Sequence, residues 1–418
     1  MALTTFPNGL RLNVSEMPEL NTATICIDLV GGFQGESQLL NGSCEMISRL
    51  LLCGTKNYNS AIAVTNYAKQ QGFVININAY KEFLQVCISC LKNRVELAIM
   101  FAFELLFNSN FDEGYINIIK NQMKAEIELN KLNPSIYLGT LTNQALFART
   151  GLMNTKLGNI KSVDRITKES LKTLYEKYIT PKNMVISVGG AVEEDKIITQ
   201  ISELFYNKLK NTEYKQIKYV SHIENFEGFV NIKKRPYNQS RVEISFPSLS
   251  FKDDNKFALD IISRALEQEL KERLKNEPYF KSLKIENVCY ANNGKLVFGL
   301  IVDGEKAETF IEKLLVELKD IVNNNGVSLN DFTAEKNSYI TDFVLRSEKS
   351  EELTKLCANE LVIAKKEFSL NDKFELLASI SYKTAMEVLK SVVDFTKINI
   401  AYLGEPVALG FLKDIIIG

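Results

Sequence analysis

Histidine is scarce in this chain, since His222 is the only one among 418 residues. A metal site built on two histidines therefore lacks a ligand, and a Ser-His or Cys-His relay has a single residue on which to depend. The glycine-rich P-loop, the GxGxxG fingerprint and the GxSxG elbow are missing as well. These absences disfavour histidine-based metal centres, hydrolases with such relays, and nucleotide-binding enzymes.

An excess of charge of one sign is also lacking, because 50 lysines and arginines face 51 aspartates and glutamates, with no block rich in basic residues. The electrostatic signature of a nucleic-acid-binding protein is therefore absent. No apolar run reaches the roughly 20 residues that a membrane-spanning helix needs. The first residues, MALTTFPNGLRL, resemble neither a signal peptide nor an amphipathic presequence. The sequence thus predicts a cytoplasmic protein with no nucleic-acid partner and no membrane span.

The seven cysteines lack the regular spacing of a disulfide framework, and their number is odd. This usage is typical of reduced thiols in a cytosol-like compartment. Cys87 and Cys90 form a CxxC motif, but the surrounding VCISC sequence alternates as a strand does. Residues i and i+3 of a strand point to opposite faces, so we expect neither a zinc knuckle nor a redox pair there.

The length of the chain favours two domains, because it exceeds what one hydrophobic core usually serves. A polar stretch at residues 211–224 is the best linker candidate and separates residues 1–210 from residues 225–418. Each part begins with strand-like segments, continues with helices and closes with a buried-type strand, MVISVGGAV in the first and INIAYLGEP in the second. This repeated order predicts an α+β fold of two similar halves, each a mostly antiparallel sheet with helices packed on one face.

Within the first part, the segments GLRLNVSE and TATICIDLVGG follow a Pro7-Asn8-Gly9 turn and predict an opening hairpin. From Ser43 to Cys53 the apolar residues recur at helical spacing, and Gly54 then supplies a stop signal. The segments FVININAY and KEFLQVCISCL predict two paired strands. Helical patterns follow at residues 95–107, 111–132, 134–150 and 167–178.

A series of motifs runs through the first part in a fixed order: Pro7-Asn8-Gly9-Leu10, Gly32, Glu36, Gly54-Thr55-Lys56, Gly72, Asn78-Ala79-Tyr80, Asn133-Pro134, Leu157-Gly158 and ITKESLKTLYEKYITPKNMVISVGG. In order and spacing they resemble the M16 peptidases, the family of pitrilysin and the mitochondrial processing peptidase. The second part resembles the same family through SRALEQELKER, GVSLNDF and VLRSEKSEEL. The resemblance implies the two-half α+β architecture of that family.

Catalytic members of this family carry an H-x-x-E-H motif on the helix that ends at the Gly-Thr pair. Its two histidines bind zinc, its glutamate activates the zinc-bound water, and a second glutamate on a distant helix is the third ligand. Counting back from Gly54-Thr55 places the motif on residues 45–49, which read Glu45, Met46, Ile47, Ser48 and Arg49. Both histidines and the base are missing, and only Glu126 matches a ligand by its spacing. The resemblance therefore implies a degenerate zinc site, consisting of Glu45, Ser48, Arg49 and Glu126, without a zinc cofactor.

Two interpretations of Arg49 remain open. A guanidinium stays protonated and has no free lone pair, so it repels Zn²⁺. Glu45 and Arg49 are either an exposed i,i+4 ion pair, or Arg49 fills the vacated pocket and pairs with both Glu45 and Glu126. The second interpretation predicts that the three side chains meet in one site.

The resemblance also implies substrate-binding residues. Asn78, Ala79 and Tyr80 match an edge strand that pairs with extended peptide by β-augmentation, although an ordinary strand has the same pattern. In two-subunit members, an arginine and a tyrosine near a helix end contact the substrate on the partner's zinc site. The nearest matches are Lys271 or Arg273 with Tyr279, and Tyr290 as a rival. The alternative is a solvated basic helix face, and the glycine-rich loop of the non-catalytic mitochondrial subunit is absent.

Two functions fit these observations. The first is a non-catalytic subunit that joins a zinc-bearing M16 homologue as a heterodimer and lines a chamber for unfolded peptide, with a homodimer as the alternative when that partner is absent. The second is a scaffold without proteolysis, similar to the core proteins of the mitochondrial cytochrome bc complex, although the missing presequence argues against that compartment. In both cases the chain by itself is not a peptidase, and zinc is expected only in a catalytic partner.

Overall fold

The computed structural model describes residues 2–210, 212, 216–223, 229–234, 239–303 and 306–404. The strands are β1 Ala2–Thr5, β2 Arg11–Glu16, β3 Thr22–Val30, β4 Val74–Ala79, β5 Phe83–Leu91, β6 Met184–Gly190, β7 Phe229–Lys234, β8 Gln239–Ser248, β9 Phe280–Cys289, β10 Gly294–Asp303 and β11 Asn399–Gly404.

The helices of the first part are α1 Ser43–Leu50, α2 Ala61–Gln71, α3 Val95–Phe107, α4 Glu113–Leu132, α5 Pro134–Leu146, α6 Ile160–Arg165, α7 Lys168–Tyr178, α8 Glu194–Ile201 and α9 Asn207–Leu209. Those of the second part are α10 Lys256–Leu274, α11 Ala307–Asn324, α12 Leu329–Ser347, α13 Ser350–Asn359, α14 Leu370–Ser379 and α15 Tyr382–Val392. Helices of the wider π type extend α8 at Ser202–Tyr206 and α13 at Glu360–Ala364. Among the described residues, none of the helices combines the length and the apolar character required to cross a membrane.

The two sheets share one strand order. The first has the order β1-β2-β6-β3-β5-β4 and the second β7-β11-β8-β10-β9. In each sheet one pair is parallel, β2 with β6 and β7 with β11, while the others are antiparallel. Apart from β1, each strand of the first sheet has a counterpart in the second. The prediction of two similar, mostly antiparallel halves is confirmed.

The opening of the fold differs from the predicted hairpin. The segments GLRLNVSE and TATICIDLVGG form β2 and β3, but β6 lies between them in the sheet. The strand that pairs with β2 around the Pro7-Asn8-Gly9 turn is β1, with Thr5 opposite Arg11. The alternating pattern correctly identified the strands, but it carried no information on which strand pairs with which.

The chain forms two compact units that depart from the predicted boundaries. The first contains residues 1–129, 154–219 and 344–370, and the second contains residues 130–153, 220–343 and 371–418. The break at residues 219 and 220 falls inside the predicted linker, of which residues 212 and 216–223 are described. Residues 130–153 belong to the second unit because α5 packs on β8 and β11, and residues 344–370 belong to the first because α13 packs on β3 and β6.

Helix α13 lies on the face of the first sheet that the main helical layer leaves free. The apolar side chains of β3 that face the helical layer include Ile25 and Ile27, whereas Ala358 of α13 packs against Cys26 and Cys87. In the same way, Leu138 and Leu141 of α5 pack on Ala401 and Leu403 of β11, away from the main core of the second sheet. Each sheet therefore has one extra helix on the face opposite its main helical layer.

The expectation of seven reduced thiols is wrong for one pair, because a disulfide joins Cys26 to Cys87. These two residues lie directly opposite each other on β3 and β5 with their Cα atoms 4.2 Å apart, and both are buried. Cys90 packs in the main core on the other face of β5, as the alternation of a strand predicts for the CxxC motif. The physical reason for the disulfide is the register of β3 with β5, which opposes two cysteines that are 61 residues apart.

Candidate functional site

The site is built on α1, whose first turn is held by a buried carboxylate. Gly42 begins the helix with a backbone φ of 106°, a left-handed conformation that residues other than glycine rarely adopt. Glu36 accepts hydrogen bonds from the backbone N–H groups of Gly42, at 2.8 Å, and Cys44, and from the side chain of Asn41 at 2.7 Å. Burial raises the pKa of Glu36 to about 8, although these three donors oppose the shift. Met46 and Ile47 then fix the helix in the core.

A second buried carboxylate holds the loop that follows α1. Glu104 of α3 accepts hydrogen bonds from the backbone N–H and the side chain of Asn57, both at 3.0 Å, and from Asn108 at 2.5 Å. Burial raises its pKa, but the hydrogen bonds from Thr55, Asn108 and Asn57 outweigh that effect and leave the pKa of Glu104 below its ordinary value. Both ends of α1 are therefore fixed, so the side chains of Glu45, Ser48 and Arg49 have defined positions.

Arg49 contacts both Glu45 and Glu126, as the second interpretation of Arg49 predicts. Its Nε lies 2.9 Å from Oε1 of Glu45, one turn earlier on α1. Its Nη1 and Nη2 donate to Oε1 and Oε2 of Glu126 on α4, at 2.7 and 2.8 Å. Ser48 lies on the same turn and donates to the backbone carbonyl of Glu45 at 2.7 Å. The structure thus brings Glu45, Ser48, Arg49 and Glu126 together.

A second cation in this site was missed by the sequence analysis. Lys156 Nζ lies 3.4 Å from Oε2 of Glu45, so the buried carboxylate of Glu45 contacts two cations. Lys156 belongs to a loop without helical or strand periodicity, directly before the Leu157-Gly158 motif. That motif fixes the loop's place in the chain but says nothing about the direction of the preceding side chain.

The electrostatics of the site favour the charged forms of Arg49 and Glu126. Hydrogen bonds from Arg49 lower the pKa of Glu126, and its bonds to Glu126 raise the pKa of Arg49 well above an already high value. The guanidinium cannot release its proton to become a ligand, and Lys156 adds a further positive charge beside Glu45. These residues do not fit a zinc ion.

The exposure of the cluster predicts an intermediate contribution to stability. The side chains of Arg49, Glu45 and Glu126 are 25%, 7% and 43% exposed. We expect Arg49→Ala to lower the free energy of unfolding by about 1–2 kcal/mol, between the values of exposed and buried ion pairs, because Lys156 still compensates Glu45. Denaturant melts measure this difference, with Lys196→Ala, which removes the exposed Lys196–Glu193 pair, as the control.

The same cluster predicts a dependence on pH. The pKa of Glu126 is depressed in the folded state, so its pair stabilises the protein above the unfolded pKa and is lost as the pH falls through the folded pKa. The difference between the wild type and Arg49→Ala should therefore shrink in acid, below about pH 4. A difference that is constant or grows on acidification would contradict this assignment.

Strand β4 forms an open edge beside α1. It is the last strand of the first sheet, pairs with β5, and contacts α1. The N–H of Tyr80 donates to the carbonyl of Phe83 at 2.9 Å. Since backbone groups of an antiparallel strand alternate between its two sides, the N–H and C=O groups of Ile75, Ile77 and Ala79 point to the free edge. Within the described residues no strand pairs with that edge.

The corresponding edge of the second sheet is closed. Strand β9 occupies the place of β4, but α10 packs along it. Glu267 of α10 accepts a hydrogen bond from the outward N–H of Ile285 at 2.8 Å. A carboxylate that caps an outward N–H competes with any added strand. Of the two matching edges, β4 is thus the one suited to pair with an extended peptide.

The predicted substrate residues of the second unit have other contacts. Lys271 pairs with Glu267 at 2.6 Å. Arg273 pairs with Glu269, Glu317 and Asp320 at 2.8, 3.0 and 2.8 Å, and so connects α10 to α11. Tyr279 is partly buried next to β9, and Tyr290 packs edge-on against Phe147 with ring centroids 5.5 Å apart. The structure does not bring these four residues together with the α1 cluster in one unit.

Two family models match most of the chain. Residues 13–158 match the model described as insulinase (peptidase family M16), and residues 165–339 match the one described as peptidase M16 inactive domain. The chain belongs to peptidase family M16. The sequence of this M16 member contains no H-x-x-E-H motif.

Curated relatives and solved structures agree with this assignment. The chain is 30% identical over 173 residues to the non-peptidase homolog YmxG of Helicobacter pylori, a match that covers 41% of this chain and 39% of that protein. It is 28% identical over 204 residues to the probable mitochondrial-processing peptidase subunit beta of Arabidopsis thaliana, covering 49% and 38%. The solved peptidase M16 inactive domain from Pseudomonas fluorescens has the same fold, with a TM-score of 0.88, 15% identity, and coverage of 97% of this chain and 98% of that one.

The chain spans less than two thirds of the length of the first curated relatives that it matches. A match to the family model described as the M16 inactive domain, together with the relative named a non-peptidase homolog, supports a non-catalytic M16 homologue.

Proposed function

We propose that this chain is the non-catalytic subunit of a heterodimeric M16 zinc peptidase and contributes to its peptide-binding chamber. The observation that carries the proposal is a juxtaposition in the first unit. Arg49 pairs with Glu45 on α1 and with Glu126 on α4, and among the described residues no strand pairs with the adjacent edge of β4. In this proposal the α1 cluster has no catalytic residues, and the edge of β4 is the surface that holds an extended peptide.

The relatives support the same role. A homologue named as one subunit of the mitochondrial-processing peptidase matches about half of this chain. In the proposed assembly a zinc-bearing M16 partner supplies the metal, and this chain supplies the edge of β4 for unfolded peptide. A cytoplasmic location belongs to the proposal, and a homodimer is its form when the partner is absent.

The alternative function is a scaffold without any proteolytic role. The name of the Helicobacter pylori relative, a non-peptidase homolog, favours it. A scaffold has no need of an open edge beside α1, whereas a peptide-binding subunit depends on it. The two functions therefore differ in the effect of a change confined to the free edge of β4.

We expect Ile77→Pro to abolish the contribution of this chain to peptide hydrolysis. The N–H of Ile77 points to the free edge, so proline removes a donor available to a bound strand and leaves the ladder with β5 intact. The measurement mixes this chain with a zinc-bearing M16 homologue from the same source and follows cleavage of an unfolded peptide. We expect cleavage by the mixture, a loss of about tenfold or more with Ile77→Pro, and little change with Ile77→Val, which keeps the N–H.

Two results would count against the proposal. If the mixture forms a complex but cleaves no faster than the partner alone, the chain is a scaffold. If Ile77→Pro is folded and supports cleavage as well as the wild type does, the edge of β4 is not the peptide-binding element.

A further inference from the structure

Helix α13 runs alongside β3 on the outer face of the first sheet. At its start, the hydroxyl of Ser350 is hydrogen-bonded to that of Thr22 at 3.1 Å. Near its end, Ala358 packs on the disulfide that contains Cys26. The eight helical residues and the four strand residues between these contacts each span about 12–13 Å, so the helix and the strand advance in step. The extension of α13 at Glu360–Ala364 therefore continues over the next residues of β3, a strand that it contacts.

Two side chains of the first unit fasten this extension. Nη1 of Arg11 on β2 donates to the backbone carbonyl of Leu361 at 2.8 Å, and the hydroxyl of Tyr219 donates to the carbonyl of Val362. Carbonyl groups in the last turn of a helix have no partner within the helix, so these two donors satisfy groups that would otherwise be buried without a partner. The docking of α13 therefore depends on polar contacts as well as on apolar packing.

Asp28 lies buried on β3, two residues after Cys26 and on the same face of the sheet, beneath the extension of α13. Its Oδ1 accepts a hydrogen bond from Gln85 of β5 at 2.9 Å, whereas its Oδ2 has no hydrogen-bond partner among the described residues. A buried carboxylate with a single donor is poorly compensated when it is charged, so this position favours the neutral carboxyl group. Burial accordingly raises the pKa of Asp28 to about 7, although the bond from Gln85 opposes the shift.

The charge of Asp28 also acts on one of the two groups that fasten the extension. The titratable groups around Asp28 are Arg11 of β2, Tyr80 and Glu82 between β4 and β5, Tyr219, and Glu352 and Lys355 of α13. Among them, the hydroxyl of Tyr219 is both influenced by Asp28 and bonded to Val362. An ionised Asp28 attracts this hydroxyl as a donor, in competition with the carbonyl of Val362. Ionisation therefore leaves a charge buried and weakens a bond that holds α13.

We propose that Asp28 is a proton-sensitive switch for the docking of α13: the neutral carboxyl group keeps the helix on the first sheet, and ionisation loosens it. In this arrangement α13 is a cover whose hold on the outer face of the sheet depends on pH. The switch lies within the first unit and rests neither on the proposed subunit role nor on the edge of β4. Failure of one of the two proposals leaves the other standing.

The direction of the effect follows from proton binding. When α13 opens, Asp28 is exposed to water and its pKa returns to its ordinary value near 4. The closed form therefore binds one proton more than the open form between about pH 4 and about pH 7. We expect the population of the open form to rise about tenfold per pH unit over this interval and to stay constant above it.

Hydrogen exchange of the full chain, measured by mass spectrometry from about pH 5 to pH 8, tests the switch. Protection factors corrected for the intrinsic pH dependence of exchange should fall in α13 by about tenfold per pH unit up to about pH 7. Those of α3, on the opposite face of the same sheet, should not follow. Asp28→Asn has the shape of the neutral acid and should remove the pH dependence. Asp195→Asn, at an exposed position of α8, is the matched control and should leave it unchanged.

Tyr219→Phe separates the fastening from the switch. Without the hydroxyl that binds Val362, α13 should be less protected at every pH, while Asp28 still produces a pH dependence. The proposal is wrong if the protection of α13 is independent of pH, if Asp28→Asn keeps the dependence of the wild type, or if α3 loses protection in parallel with α13. If Asp28→Asn does not fold, Gln85→Leu decides the question. It removes the donor to Asp28, so the fall in protection should move to higher pH, and an unmoved fall contradicts the switch.

Discussion

The triple variant Glu45→His, Ser48→Glu and Arg49→His is expected to bind about one zinc ion per chain, whereas the wild type is expected to bind none. The substitutions restore two histidines at i and i+4 on α1 and the glutamate between them. Arg49 reaches Glu126 at 2.7 Å in the present structure, so the third ligand already faces this turn of the helix. Glu126 therefore lies on the side of α1 to which position 49 directs its side chain.

Lys156 is the main obstacle to zinc binding in the triple variant. Its ammonium lies 3.4 Å from Glu45 and would face the new histidine at this position. A fixed positive charge beside a dication lowers affinity, so Lys156→Met added to the triple variant should tighten zinc binding further. We expect the order of zinc affinity to be the quadruple variant first, then the triple variant, then the wild type.

Metal analysis after dialysis against a buffer with trace zinc measures the stoichiometry. The matched control is the triple variant with Glu126→Gln, which removes the third ligand at constant shape and should lose most of the bound zinc. A triple variant that is folded but binds no zinc, with or without Lys156→Met, would mean that the pocket has been remodelled. The alignment of residues 45–49 with the zinc motif would then lose its main support.

The α1 cluster could be predicted because its signal is local. Gly54-Thr55 fixes the register of the helix, Glu45 and Arg49 are one turn apart, and the spacing of Glu126 follows the family pattern. Helical periodicity turns such spacings into positions on one face. The contact of Lys156 with Glu45 had no comparable signal, because the direction of a loop side chain depends on tertiary packing.

The ion pairs of Arg273 show which contacts of a helix the sequence reveals. The basic residues near the end of α10 suggested a reach towards substrate. Glu269, at i−4 of Arg273, is visible in the sequence and indicates an ion pair along the helix. The further pairs with Glu317 and Asp320 depend on the packing of α11 against α10, which no spacing in the sequence reveals. Ion pairs within one helix could be predicted from the sequence, whereas ion pairs between helices could not.

The boundaries of the two units and the disulfide could not be predicted from the sequence, because both depend on how distant elements pack. The separation of Cys26 from Cys87 gives no indication of register, which arises when β3 pairs with β5. The membership of α13 in the first unit depends on its packing against β6. Thr354 of α13 follows Gly189 of β6 by about 165 residues. Amphipathic patterns show that a helix must bury one face, but not which sheet it covers.

Gly189→Val is expected to destabilise the protein strongly, because α13 packs directly over this glycine. A Cβ atom at Gly189 would lie 2.3 Å from Oγ1 of Thr354 and 3.6 Å from Cβ of Ser15. On an open sheet face, valine in a central strand would stabilise the protein, since it has higher β-propensity than glycine. The sign of the effect therefore reports whether α13 occupies this face. We expect a loss of about 2–4 kcal/mol, as for overpacked cores.

A second substitution in α13 should relieve part of this loss. Thr354→Ala removes the hydroxyl that the new side chain meets, at the cost of one hydrogen bond to the carbonyl of Ser350. We expect Gly189→Val with Thr354→Ala to be more stable than the sum of the single effects by about 1–2 kcal/mol, because the two residues are in contact. Strictly additive effects would place Thr354 away from Gly189 in solution.

Gly299→Val in the second sheet is the matched control for Gly189→Val. Both glycines lie in strand interiors, but the nearest atom to a Cβ at Gly299 is 3.8 Å away, compared with 2.3 Å at Gly189. Valine at position 299 should therefore leave the free energy of unfolding nearly unchanged or raise it. If both substitutions are neutral, α13 does not cover β6, and residues 344–370 would then not belong to the first unit. Denaturant melts of the two variants, measured beside the wild type, distinguish these architectures.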